Sequence, residues 1–306
     1  MTGLQRDFPA ASEAANASQL ADKCAESAVL QYSHSMKVPP VVLSIAGYDP
    51  SSGAGITADI KTAAAHGCCA VTCITALTVQ SSQGVFEVRP LEAAYVRRTL
   101  SVLAEDLEIA AVRVGMLGSA GVASAVARVL STLDLRNIVL DPVLRSSSGA
   151  VLLDESGQQV LREELLPLAD IVTPNLDEAA VLAGIEAAAA DRPWEDVLPW
   201  LRMAAAKLHH LGSRAVVITG GHLPEANDYL SYLDYRTERE EILSGSHIES
   251  RSTHGTGCAF AASLACQLAL GQELPQAVRA AKEYVRKAVE SAYPMGKGTG
   301  PINHMV

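Results

Sequence analysis

The strongest chemical signal in the chain is the run Thr253-His254-Gly255-Thr256-Gly257-Cys258, which leads into an Ala-rich stretch with helical spacing. Glycines on either side of Thr256 allow consecutive backbone N–H groups to turn inward as an anion nest. A helix starting there adds roughly half a positive charge at the same point. Gly255, Thr256 and Gly257 can therefore stabilise charge that develops on a migrating phosphoryl group. Cys258 falls in the first helical turn, where the dipole is expected to lower its thiol pKa and make it a candidate base. The plain structural alternative is a glycine turn followed by a buried cysteine, and the run alone weighs the two equally.

Three further sites carry oxygen and nitrogen groups. Ser51-Ser52-Gly53-Ala54-Gly55-Ile56-Thr57-Ala58-Asp59 follows an apolar strand, opens a helix and contains GxGxxA. A dinucleotide fold would want an acidic residue about 20 positions on, at the end of the next strand. That strand runs Cys-Ile-Thr-Ala-Leu-Thr-Val-Gln and has none, so a tight turn is the better reading and NAD binding the weaker. In Asp170-Ile171-Val172-Thr173-Pro174-Asn175-Leu176-Asp177-Glu178, Asn175 and Glu178 have the spacing of a helix capping box. They are also hard oxygen donors of the kind that organises Mg²⁺, water and phosphate. Asp141 ends a strand just before Pro142, where a carboxylate can orient metal or phosphate and where Asp-Pro is equally a turn signal. No GxxxxGK[ST] loop occurs, since Lys297 is followed by Gly298, and no GxSxG elbow occurs either.

The elements that must position these groups alternate regularly. Strands are expected at Val41–Ala46, within Cys69–Val79, and at Ala111–Gly115, Asn137–Asp141, Ile171–Thr173 and Ala215–Thr219. Helices are expected over Ile56–His66, Ala94–Asp106, Ser119–Thr132, Glu155–Leu166, Leu176–Ala183, Trp194–Leu211, Gly257–Leu270 and Leu274–Ser291. Tyr229–Tyr235 and Glu240–Ser244 read as a polar hairpin. Such alternation implies right-handed crossovers and an α/β fold: a doubly wound, mostly parallel central sheet with helices on both faces. Ligands should gather at the carboxyl ends of its strands, where the glycine-rich segments fall.

Composition agrees. Apolar residues make up 49% of the 306 and aromatics only 4%, which suits a sheet core of Ala, Val, Leu and Ile. The formal net charge of −10 disfavours nonspecific binding to nucleic acid or anionic membranes. None of the six cysteines forms a CxxC pair or sits at zinc spacing with His, so a reduced, cytoplasmic setting is expected. No apolar run is long enough to span a membrane. Residues 1–38 show no sustained apolar pattern and read as a disordered tail, with residues 1–35 dispensable and 39–306 forming one domain.

Taken together, six motifs resemble the hydroxymethylpyrimidine and phosphomethylpyrimidine kinases of the ribokinase-like superfamily. They are Ala46–Thr62, Thr75–Gln80, Gly115-Met116-Leu117, Asp141-Pro142-Val143, Thr173–Glu178 and His254–Cys258, in order from about residue 40 to about 304. The resemblance implies a ribokinase-like fold, ATP with Mg²⁺, a pyrimidine substrate of thiamin synthesis and a homodimer. Carried onto this chain, it implies that Asp59 and Gln80 hydrogen-bond the pyrimidine, and that Gly47, Ala54, Val79, Met116 and Val143 line its pocket. Gly255–Gly257 would form the anion hole and Cys258 would occupy the place of a catalytic Asp. Asp141, Asn175 and Glu178 would serve phosphate and metal, with Asp141 and Glu178 at the metal, and Thr219 and Lys287 would lie at the nucleotide. Three positions depart from the pattern: Thr219 before Gly220-Gly221 where Lys is frequent, Ala150 where a polar residue is usual, and Tyr48 where Thr or Ser is frequent. Pyridoxal kinase, a non-catalytic pyrimidine binder on a kinase scaffold and, weakest, a dehydrogenase are the competing readings.

Overall fold

β-Branched and other apolar residues at the strand positions build nine strands into one sheet in a computed structural model, which describes residues 38–189, 192–221, 223–234 and 237–306. The expected tail lies outside the described residues apart from Val38, and so does Tyr235 of the expected hairpin. The strands are β1 (Val41–Tyr48), β2 (Cys69–Ser81), β3 (Gly84–Pro90), β4 (Ile109–Val114), β5 (Ile138–Leu140), β6 (Ile171–Val172), β7 (Ala215–Ile218), β8 (Asp228–Asp234) and β9 (Thr237–Leu243). Their order is β3-β2-β1-β4-β5-β6-β7-β8-β9. β2, β1, β4, β5, β6 and β7 run parallel, while β3, β8 and β9 are antiparallel additions at the two edges. The order reverses at β1, with β2 on one side and β4 on the other, which makes a topological switch point at the carboxyl ends of β1 and β4.

The period of two along each strand divides the core in two. Leu43, Ile45, Val112, Val114, Leu140, Val216 and Ile218 face one layer. Val42, Ala111, Val139, Ile171, Ala215 and Val217 face the other. On the first face lie α2 (Ala93–Asp106), α3 (Ala120–Leu130), α4 (Glu155–Val160), α5 (Leu176–Ala183) and α6 (Trp194–His210). The second is covered by α7 (Thr256–Ala269) and α8 (Leu274–Glu290), and Ala63 of α1 (Gly55–Ala65) packs there too. Ala111, Ala215, Ala261 and Ala265 let α7 lie close to the sheet, which brings its N-terminus to the strand ends.

Two local differences from the sequence reading have physical reasons. β3 was not anticipated, because Gly84–Pro90 carries Glu87, Arg89 and Pro90; an edge strand tolerates charge and proline that an inner strand does not. The expected helix Glu155–Leu166 holds α-geometry only to Val160, widens into a π-turn over Leu161–Leu165 and tightens into a 3₁₀ turn at Leu166–Leu168. Pro167 interrupts the ladder, and the widened turn buries Leu161, Leu165 and Leu166 together.

The segment Gly300–His304 is a strap across the start of α7. His254 N–H donates to Gly300 O, Ile302 N–H donates to His254 O, and Asn303 N–H is anchored on Ala288 O. His304 is buried, with Nε2 lacking a partner among the described residues, and burial with Lys61 and His254 nearby pushes its pKa down to about 4. An unfolded histidine titrates near 6.5, so the unfolded chain binds the extra proton first and stability drains away as pH falls from about 6.5 to about 4. His304→Phe should remove this component, of the order of 3 kcal/mol at its limit. Thermal melts of the two proteins from pH 7.5 to 4.5 should therefore converge or cross as pH falls, and parallel curves would contradict it.

Candidate active site

The carboxyl ends of β1, β4, β5, β6 and β7 open into a cleft of about 1730 Å³. Two glycine turns meet at its centre. In the first, Asp49 accepts hydrogen bonds from Ser51 N, Ser51 Oγ, Gly53 N and Ala54 N at 2.7–3.2 Å. The Ser51, Gly53 and Ala54 N–H groups are spent on Asp49 and that of Gly55 faces Cys258, which argues against the dinucleotide reading. In the second, Gly255 takes φ +89° and precedes α7, and a Cβ there would stand 1.8 Å from Gly53 O. The backbones of the two turns are in contact.

A buried ion cluster forms the floor. The strand register sets Ser44 of β1 beside Arg113 of β4, and Arg113 beside Val139 of β5, two residues before Asp141. All three polar groups therefore point to the α7 side of the sheet. Arg113 is fully buried and bridges Asp59 Oδ2, at 3.1 Å, and Asp141. Its guanidinium lies over Gly115, where a Cβ would stand 2.0 Å from Nη1. Burial alone would lower the Arg113 pKa, but Asp59, Cys258 and Asp141 outweigh it and hold the charge on. With two carboxylates to one guanidinium, burial pushes Asp59 up to about 6 against Arg113 and Ser44, and raises Asp141 as well.

The start of α7 is built for an anion. Gly255 provides no side-chain cap and the first turn holds no acidic residue; the Thr256 N–H makes one long contact, 3.4 Å, to Thr253 O, and the N–H groups of Gly255, Gly257 and Cys258 have no hydrogen-bond partner among the described residues. Cys258 is partly buried beside Arg113. Its thiol does not follow the expected downward shift. Burial raises it to about 11, Asp141 and Asp59 add to the rise, and the pull of Arg113 and of the Gly55 N–H does not compensate. Desolvation outweighs the helix dipole here.

At the start of α5 the capping box exists as such: Glu178 N–H donates to Asn175 Oδ1 at 2.9 Å and Asn175 N–H to Glu178 Oε2 at 3.0 Å. The structural role does not exhaust Glu178, since a carboxylate has about four lone-pair positions. Burial and Asp141 push it up to about 8, so two neighbouring carboxylates sit where their negative charge is poorly compensated. Such a pair fits a bound cation. No group of three or more His, Cys, Asp or Glu gathers at metal spacing among the described residues, so a cation there must complete its shell with phosphate and water, the habit of Mg²⁺. Thr219 and Asn175 also line this part of the cleft.

The cleft brings together most of the residues named from the sequence. Gly47, Ala54, Gln80, Met116, Asp141, Val143, Asn175, Glu178, Thr219 and Gly255–Cys258 all line it. Gly47 leaves room for Met116, whose Sδ would lie 2.7 Å from a Cβ at that position and would have to shift. Three expectations need correction. Asp59 does not reach the cleft; it is 2% exposed and its Oδ2 is taken by Ser44 and Arg113. Val79 alternates to the opposite face from Gln80 and is 56% exposed. Lys287 does not line the cleft; its Nζ lies 3.7 Å from Glu283 Oε1. The lysine of α8 that does line the cleft is Lys282, held by Asp228 and Ala226 O at 2.7 Å. Sequence reasoning missed Lys282, Asp49 and Arg113. An arginine two residues before a strand-end glycine was the available signal for the last.

A family model described as phosphomethylpyrimidine kinase matches residues 49–303. The chain is 42% identical over 266 residues to the hydroxymethylpyrimidine/phosphomethylpyrimidine kinase of Streptomyces coelicolor, covering 87% of this chain and 94% of that one. It is 35% identical to a pyridoxine kinase of Bacillus subtilis, covering 86% and 94%. Among solved structures, phosphomethylpyrimidine kinase from Clostridium difficile superposes with a TM-score of 0.69 at 31% identity, covering 82% and 99%. An ADP complex of Bacillus subtilis pyridoxal kinase gives 0.76 at 33%, covering 87% and 97%.

The thiol at position 258 supplies a direct check on the electrostatics. Alkylation of Cys258 by iodoacetamide, followed by peptide mass spectrometry, should stay slow through pH 8.5 and climb only above about pH 10. A rate already at its plateau by pH 8 would mean that the dipole wins over burial after all.

Proposed function

The chain belongs to the phosphomethylpyrimidine kinase family, and we propose that it moves the γ-phosphoryl group of ATP onto the hydroxymethyl oxygen of 4-amino-5-hydroxymethyl-2-methylpyrimidine, and then phosphorylates the monophosphate to the diphosphate for thiamin synthesis. It is a phosphotransferase of ribokinase-like fold. The observation that carries the reading is the meeting, in one cleft, of an uncapped glycine-flanked helix start with Gln80, Met116 and Val143. One end is made for a phosphoryl group and the other for a flat polar ring.

In this reading the pyrimidine lies against Gly47, Ala54, Met116 and Val143 with its polar edge on Gln80. The N–H groups at Gly255–Gly257 hold the migrating phosphoryl, so that charge spreading over its oxygens meets fixed dipoles rather than reorienting water. Asp141 and Glu178 would hold Mg²⁺, which supplies charge neutralisation at the phosphates. Thr219 and Asn175 border the nucleotide. Cys258 orients the attacking hydroxyl through its sulfur. With the thiol held near 11, the resting enzyme keeps it protonated at neutral pH, and the hydroxyl proton passes to a phosphate oxygen or to water as the new P–O bond forms and the bond to the departing ADP oxygen breaks. That timing suits a loose transition state.

Residues 39–306 carry the activity in this reading, and a cytoplasmic setting follows from the class of reaction. No helix among the described residues is long and apolar enough to cross a membrane. A homodimer is supported by apolar side chains left uncovered at the β3 edge: Leu77, Val79 and Phe86 are 41%, 56% and 69% exposed. Light scattering should give twice the chain mass, and Val79→Asp with Phe86→Asp should shift it to the monomer.

An ADP-release assay with hydroxymethylpyrimidine, its monophosphate and pyridoxal in parallel tests the main reading. Both pyrimidines should turn over, EDTA should abolish turnover, and kcat/KM for hydroxymethylpyrimidine should exceed that for pyridoxal by about tenfold or more. Asp141→Asn should cut kcat by about 100-fold. Pyridoxal as the better substrate, or no ATP-dependent product, would overturn the assignment.

A further inference from the structure

We propose that His254, anchored by Asp49, is a positioning residue that fixes which way round the Gln80 amide faces the ring, and thereby selects an aminopyrimidine over pyridoxal. The inference rests on the phosphotransferase reading above and adds to it the source of its selectivity.

The geometry involves four side chains. His254 Nε2 lies 2.8 Å from Asp49 Oδ2 and 3.1 Å from the Gln80 amide nitrogen. At the other end of the amide, Gln80 Oε1 lies 3.3 Å from Thr78 Oγ1, which also lies 2.9 Å from Tyr48 O. Asp49 is ionised: burial works against this, but hydrogen bonds from His254 and Ser51 outweigh it and hold its pKa below the usual carboxylate range. A carboxylate only accepts, so His254 Nε2 must carry the hydrogen and give it to Asp49.

That proton decides the amide. With the Gln80 nitrogen toward His254, two N–H donors face each other. At the other end, Thr78 has one hydroxyl hydrogen and two acceptors competing for it, Tyr48 O and Gln80 Oε1. A half-turn of the amide removes the facing donors and frees the Thr78 hydrogen, leaving the His254 N–H shared between Asp49 and the amide. The oxygen then takes a share of the His254 N–H. The nitrogen donates to Thr78 Oγ1, whose own hydrogen goes to Tyr48 O. Oxygen and nitrogen exchange places with no other atom moving.

Gln80 in this orientation offers the cleft a carbonyl lone pair on the His254 side and an N–H on the Thr78 side. A 4-aminopyrimidine carries an amino donor next to a ring-nitrogen acceptor and matches both. Pyridoxal carries an aldehyde where the pyrimidine has that amino group, so carbonyl would meet carbonyl. An acceptor set against an acceptor in a partly buried site is penalised far more than a missing contact. The discriminating element is thus one step behind the side chain that touches the ring.

The test is a substrate-ratio measurement within a double-mutant cycle. In His254→Ala the amide can turn freely, so kcat/KM for hydroxymethylpyrimidine should fall about tenfold, mainly through KM, while that for pyridoxal changes by less than about twofold. His254→Gln, which can still donate to Asp49 and to Gln80, should recover part of the loss. In a Gln80→Ala background, His254→Ala should have no further effect on the ratio. Equal losses for both substrates, a matching rise in the KM for ATP, or additivity in the cycle would show that His254 only packs the turn. Native enzyme without pyrimidine turnover would instead sink the functional reading, and this one with it. Native turnover with an unmoved ratio sinks the orientation argument alone. Thermal melts identify a variant that fails to fold, and His254→Gln then decides.

Discussion

A guanidinium shut away from water and shared between two carboxylates is the interaction on which the rest of the site depends. Arg113 is fully buried, and its partners come from α1 and from the end of β5. A buried ion pair adds little net stability over an apolar replacement of the same shape, yet losing one member costs roughly 3–5 kcal/mol. The cluster is therefore better understood through what it fixes than through what it stabilises. It ties together β1, β4, β5 and α1 at the switch point and holds a permanent positive charge beside Cys258 and Asp141. Phosphoryl transfer proceeds through charge redistribution with little covalent work by the protein. A cation that cannot lose its proton suits the floor of such a site.

Around this floor the two ends of the cleft are finished by different means. The end proposed for the phosphoryl group relies on backbone: an uncapped helix start, glycines and no acid in the first turn. The end proposed for the ring relies on side chains linked by hydrogen bonds, from Asp49 through His254 and Gln80 to Thr78. Backbone dipoles are indifferent to what carries the phosphoryl group. Ordered donors and acceptors are not. Selectivity can thus change at one end while the transfer chemistry at the other stays the same, in keeping with the likeness of this chain to both pyrimidine and pyridoxal kinases.

Much of this was legible in the sequence because local rules and tertiary structure agree. Alternating apolar strands, the Asn175–Glu178 spacing and the Gly-Thr-Gly-Cys turn each specify a local geometry that the fold retains. The errors arise where a long-range contact sets the outcome. Asp59 sits in a binding motif, but its carboxylate is claimed by Arg113, 54 residues away in sequence. Cys258 stands where a helix dipole should acidify it, yet burial beside Asp141 and Asp59 prevails. Lys287 and Lys282 differ by little more than one helical turn, and only packing decides which reaches the cleft. β3 carried too much charge to read as a strand, because nothing in a single segment announces that it will lie at an edge.

The contact between Gly53 O and the Cα of Gly255 has a bearing on how such an enzyme can change its diet. In the proposed reading the transfer point lies beside two main chains that touch, with Cys258 as the neighbouring side chain. The spacing of the two turns is set by polypeptide thickness, and a side chain at Gly255 would have to displace the Gly53 backbone. New substrates must then be accommodated at the rim, by residues such as Tyr48 and Val143, and every molecule that fits must bring its hydroxyl to the same spot.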